Sequence, residues 1–168
     1  MDLERLNQAD QATAESWFFH CLGVRQWAQS MTRRRPFANA TSLIRDAEDM
    51  ASKLPRDAWL AAFQEHPKIG DLQSLKKRFQ STAHLASHEQ ASVHAASEQV
   101  IAELAAGNAA YEDKFGFIFI ICATGKSASE MLTSLKARLG NPRDQEMQTA
   151  WHEQLKITKL RLEKIGDV

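Results

Sequence analysis

Only one stretch of this sequence reads as a β-strand: Phe115-Gly116-Phe117-Ile118-Phe119-Ile120-Ile121-Cys122-Ala123. It is rich in aromatic and β-branched residues and is bounded by Gly116 and Gly125, the composition of a buried strand. No second run in the chain offers it a partner. A lone strand leaves its backbone N–H and C=O groups without a ladder, so this segment cannot seed a sheet. The rest of the chain repeats its apolar residues at helical spacing, and the expectation is an all-α, single-domain bundle of seven to eight helices over 1–168. The odd segment is then either a fully buried helix, or its backbone groups are met by something else, such as a polar ligand.

The helices can be placed from their caps and faces. Asp10 to Leu22 carries Trp17, Phe18, Cys21 and Leu22 on one side, with Gly23 as a stop. A second helix is expected from Val24 to about Arg34, ending before Pro36. Thr41 or Ser42 caps a third, through Ile44, Ala47, Met50, Ala51 and Leu54. Pro55 suits the first turn of a fourth, which buries Trp59, Leu60 and Phe63 and ends at His66. The polar stretch Gly70 to Ala86 has room for a short helix. Ser87 and Gln90 fit a capping box that opens a long alanine-rich helix to about Tyr111, with Gly107 and Asn108 as a place to bend or interrupt it. Ser127 and Glu130 fit a second capping box, for a helix through Met131, Leu132, Leu135 and Leu139 that Gly140 closes. Asn141 as N-cap and Pro142 in the first helical position open the last helix, whose apolar face is Met147, Trp151, Leu155, Leu162 and Ile165, ending near Ile165.

Three side chains carry chemistry that this scaffold does not require. His66 precedes Pro67 and follows a helix, so proline fixes it at a corner just past a helix end. The negative end of the helix dipole favours an imidazolium there, and such a group can hold and release a proton near neutral pH. Glu89 falls in the first turn of the long helix, where an ionised carboxylate is stabilised. Arg161 borders the apolar face of the last helix and can turn its planar fork inward to a carboxylate. Taken singly, each has a plain structural reading: a cap or core histidine, a glutamate compensating the dipole, and an arginine stem packed with its head in water. Together the types suit acid–base chemistry on a small anion.

Composition excludes other classes. The 168 residues carry 21 basic and 21 acidic side chains, which argues against a general nucleic-acid or membrane-surface binder. Arg33-Arg34-Arg35 reads as a solvated helix end. Cys21 and Cys122 sit in apolar runs and are expected to be buried thiols in a reducing cytoplasm. No signal peptide or peroxisomal address is read at either end, no apolar run is long enough to span a bilayer, and no metal-ligand spacing appears.

Several elements, taken in order, resemble one family. His66-Pro67-Lys68-Ile69-Gly70, Glu89-Gln90, Phe115-Gly116-Phe117 through Ile121-Cys122-Ala123-Thr124-Gly125-Lys126, and Lys156-Ile157-Thr158-Lys159-Leu160-Arg161-Leu162 are similar to the OHCU decarboxylases (2-oxo-4-hydroxy-4-carboxy-5-ureidoimidazoline decarboxylases) of bacterial type. The resemblance covers essentially the whole chain, with the first forty residues matching more loosely. It implies an all-helical homodimer that needs neither metal nor organic cofactor. The implied reaction makes (S)-allantoin and CO2 in urate breakdown, after urate oxidase and hydroxyisourate hydrolase. Carried over by position, His66 is the catalytic acid and Glu89 its partner. Pro67, Ala86, Ser87, His88 and Gln90 line the substrate. Backbone groups of Phe119, Ile120, Ile121, Cys122 and Ala123 bind the ring and ureido group, and Arg161 holds a carboxylate. Two readings compete with it: a helical interaction module without catalysis, and another acid–base lyase or hydrolase acting on a cyclic ureide.

Overall fold

The computed structural model describes residues 1–66 and 90–167, with side chains described up to residue 66 and from residue 98 onward. The expected short helix at 70–86, the Ser87–Gln90 capping box, and the candidates Pro67, Ala86, Ser87, His88 and Glu89 lie outside the described residues, as does the side chain of Gln90. The described residues form eight helices and no strand, in line with the all-α expectation. They belong to two compact units, Met1–His66 with Trp151–Val168, and Pro67–Ala150.

In the first unit, α1 (Leu3–Gln8) is capped by Asp2, whose side chain accepts from Arg5 N–H; no helix had been expected here. Helix α2 (Gln11–Leu22) is capped by Asp10 and ends on Gly23. Gly23 has φ 82°, and a Cβ there would sit 2.9 Å from Glu65 Cγ, so both the left-handed turn and the close approach favour glycine. Helix α3 (Arg25–Arg34) follows. Helix α4 (Ala40–Ser52) opens on a capping box between Asn39 and Ser42. The cap is therefore Asn39, not Thr41 or Ser42: Ser42 is the residue that reaches back. Helix α5 (Arg56–Gln64) starts just after Pro55. Phe18, Leu22, Trp27, Met31, Leu43 and Phe63 form the core, and the Trp27 indole N–H donates to Ala47 O at 3.1 Å. Trp59 and Leu60 are only half-buried. The Trp59 ring stacks on Trp151 at 5.0 Å.

The arginine run departs from expectation at one position. Arg33 and Arg34 are exposed, but Arg35 is half-buried. Its guanidinium donates to Leu6 O and Ala9 O, both at 2.7 Å. It thus occupies carbonyls that the end of α1 leaves without intrahelical partners, and it is a clamp instead of a solvated charge.

In the second unit, α6 (Gln90–Phe115) runs unbroken through Gly107 and Asn108. Gly107 does not interrupt the helix. A Cβ there would lie 2.6 Å from Leu135 Cδ2, so the missing side chain lets α6 approach α7 (Ala128–Leu139). Ser127 and Glu130 make the expected capping box of α7, and Gly140 ends it. Helix α8 (Arg143–Leu162) begins in this unit and finishes in the first. Pro142 O accepts from Glu146 N–H at 2.9 Å, which places proline at the cap, one position earlier than expected. Residues 116–127 are neither strand nor helix, so the buried-helix alternative for the 115–123 segment is set aside.

Candidate functional site

His66 lies one residue past the C-cap of α5, and its N–H donates to Phe63 O at 3.3 Å. The side chain is half-buried, and its Nε2 lies 2.6 Å from Gln154 Oε1. Gln154 is fully buried on α8, and its Nε2–H donates to Thr158 Oγ1 at 3.4 Å. Thr158, also buried, donates its hydroxyl proton to Gln154 O at 2.9 Å. Burial depresses the His66 pKa below its ordinary 6.5; the Gln154 hydrogen bond raises it in part, Arg161 lowers it further and Glu65 opposes that. Burial thus acts on the ring against the dipole effect read from sequence and favours its neutral form.

Arg161 is exposed overall, and its guanidinium donates to His20 O at 3.0 Å and Cys21 O at 3.4 Å. These carbonyls end α2, where a cation complements the dipole. Beside it lies a cavity of about 700 Å³, lined by Trp17, His20, Cys21, Glu65, Arg161 and Lys164 among others. His66 is not among its described lining residues. The buried Cys21 thiol is pushed up to about 12 by desolvation, which Arg161 only partly offsets, so it stays protonated and inert.

In the second unit, Phe119, Ile121, Cys122 and Ala123 are half-buried and Ile120 is buried. Cys122 is thus less covered than expected. The segment is held from below by Arg138. Its Nη1 donates to Ile120 O at 2.8 Å and its guanidinium lies 4.6 Å from the Phe119 ring centroid. Arg138 in turn pairs with Glu146 at 2.6 Å. Glu146 is fully buried and also accepts from Asn141 Nδ2 at 2.7 Å and from the Tyr111 hydroxyl. Burial and the Glu146 contact push the Tyr111 pKa far above its ordinary value, so that hydroxyl remains a donor. Arg138 is one answer to what meets the backbone of this segment.

Sequence reasoning missed Gln154, Thr158, Arg138 and Glu146. For two of them a signal was present: Gln154 and Thr158 lie three and seven residues after Trp151, on the stripe that Leu162 continues. Among the described residues, no three His, Cys, Asp or Glu side chains come together as a metal site.

The described residues thus define an all-helical chain with a half-buried imidazole held on a buried amide. Residues 7–163 match the sequence model of the family described as OHCU decarboxylase, and the chain belongs to that family. The 2-oxo-4-hydroxy-4-carboxy-5-ureidoimidazoline decarboxylase of Amia calva is 33% identical over 131 residues, 78% of this chain and 74% of that protein. The uric acid degradation bifunctional protein TTL of Arabidopsis thaliana is 34% identical over 145 residues, 86% of this chain. The chain spans 45% of that relative's length. A crystal structure of an OHCU decarboxylase in the presence of (S)-allantoin superposes with a TM-score of 0.72 at 34% identity, covering 92% of this chain and 99% of that one.

Proposed function

We propose that this chain decarboxylates OHCU to (S)-allantoin and CO2, the third step of urate breakdown. The observation that carries this is the match, at 34% identity, to nearly the whole of a solved OHCU decarboxylase. The substrate's carboxyl-bearing carbon adjoins a C=N carbon. As CO2 leaves, the electron pair of the broken C–C bond moves into the imine and the ring nitrogen takes up a proton, giving an enol-like intermediate. The enol hydroxyl then loses its proton and the ureido-bearing carbon gains one on a single face. A neutral imidazole suits that second step, because it accepts one proton and returns it nearby. His66 has this role, with Glu89 as its ionised partner and Arg161 holding the carboxylate. Pro67, Ala86, Ser87, His88, Gln90 and the backbone of 119–123 bind the ring and ureido group. The resemblance further supports a cytoplasmic homodimer acting as one domain without metal or organic cofactor.

The test is incubation with freshly generated OHCU, followed by circular dichroism of the allantoin formed. Fast formation of the S enantiomer is expected. Product formed at the uncatalysed rate and without handedness leaves the chain a non-catalytic helical module. Turnover of a different cyclic ureide assigns it to another lyase or hydrolase.

A further inference from the structure

The geometry points to Gln154 as the positioning residue that fixes His66 in its Nε2–H tautomer and so leaves Nδ1 as the nitrogen that exchanges protons. The inference rests on the proposed role of His66. The direction of each hydrogen bond follows from the one before it. Thr158 spends its only proton on Gln154 O, so toward the Gln154 side chain its oxygen can only accept. That requires the amide NH2 of Gln154 to face Thr158, at 3.4 Å. The amide oxygen is then turned to His66, 2.6 Å from Nε2. An oxygen at that distance demands a proton on Nε2, whether the ring is neutral or charged. In the neutral ring the lone pair is therefore on Nδ1.

Burial makes the arrangement rigid. Gln154 is fully buried and Thr158 nearly so, and an amide rotated by half a turn would turn its oxygen to a hydroxyl with no proton left. Two buried acceptors would then face each other and the amide would lose its bond to Thr158, a cost in a low-dielectric site. The charged and titratable groups that act on His66 among the described residues are Arg161 and Glu65, and neither is hydrogen-bonded to the ring. Gln154 is therefore the described side chain that chooses between the ring nitrogens. A neutral amide does this without adding a charge that would hold the ring protonated, unlike a carboxylate in the same place.

Nitrogen-15 NMR of histidine-labelled protein tests this, at a pH where His66 is neutral. In the wild type Nε2 should show the protonated, pyrrole-type shift and Nδ1 the unprotonated, pyridine-type shift, without averaging. Gln154→Met, close in volume and unable to accept, should give averaged shifts and lower kcat by about 10- to 100-fold, the scale on which partners that orient an imidazole act in metal sites, with a smaller change in KM. Thr158→Val should loosen the tautomer in the same sense, and Thr158→Ser should restore the single form. If Gln154→Met does not fold, the Thr158 pair still decides. A wild-type ring protonated on Nδ1, or shifts unchanged in both Gln154→Met and Thr158→Val, overturns the inference. A wild-type protein that fails to turn over OHCU yet shows the predicted shifts and their loss in the variants sinks the proposed reaction and leaves Gln154 in its place.

Discussion

The two units each bury a polar network around a candidate site element, and the networks are of opposite kinds. Among the described residues, the hydrogen-bonded chain behind His66 is neutral: an amide and a hydroxyl on one helix. Behind Ile120 the partners are charged: Arg138 and Glu146, with Tyr111 and Asn141 completing the carboxylate's contacts. A buried ion pair holds geometry firmly but tolerates no loss of a partner, because the survivor is a stranded charge. A neutral chain lets its terminal group gain and lose a proton without stranding anything. Charge is used where a backbone segment is fixed, and neutral donors and acceptors lie behind the imidazole for which proton transfer is proposed.

The largest expected effect breaks the neutral side. His66→Asn should lower enantioselective allantoin formation by about 100- to 10,000-fold while the melting transition stays cooperative. Near-wild-type turnover would remove His66 from the chemistry, and an unfolded variant would make it a structural cap.

Next comes the charged side. Arg138→Ala strands the Glu146 carboxylate and frees the Ile120 carbonyl, and should cost about 3–5 kcal/mol of stability in urea denaturation. Arg138→Ala stability within 1 kcal/mol of wild type would show that this cluster does not anchor its unit, and the contrast between the networks would fail.

A smaller effect is expected at Arg161. Arg161→Lys keeps the charge but loses the planar fork. It should raise KM about tenfold, the equivalent of ~1.4 kcal/mol, with kcat changed less. An unchanged KM would confine Arg161 to its contacts with the end of α2. Glu89→Gln sharpens the assignment from the other direction, since removing the charge while keeping the shape should impair kcat more than KM.

The smallest is a pH effect on stability. The His66 pKa is depressed in the folded state, so the unfolded chain binds the proton more readily. The stability this contributes is fully present above the unfolded value near 6.5 and is lost as pH falls through the folded value, levelling off below it. Comparing wild type with His66→Asn across that window isolates the slope, and identical slopes would mean that the ring is not desolvated as described.

Much of this scaffold was legible because its signals are local. Asp10 and Gly23 bound α2, and the Ser127–Glu130 box opens α7, through contacts within one turn. Long-range causes were not legible. Arg35 looked like part of a basic run until α1 placed two open carbonyls beside it. Gly107 looked like a flexible point because Leu135, the reason for it, is 28 residues away. The 115–123 run misled because its composition suits a buried strand, whereas only Phe115, Phe117 and Ile120 are buried and Ile120 O is met by Arg138, which no local pattern announces. For the candidate site, motif order pointed to His66 and Arg161, whereas Gln154 was hidden as an uncharged residue on a helix read only for its apolar face.

The handedness of the product is the measurement that decides whether this chain is an OHCU decarboxylase. OHCU generated in place should be converted to (S)-allantoin faster than it decays unaided, with a circular dichroism signal of one sign that builds to full enantiomeric excess. Allantoin without optical activity, appearing at the rate seen when no protein is present, would contradict the account.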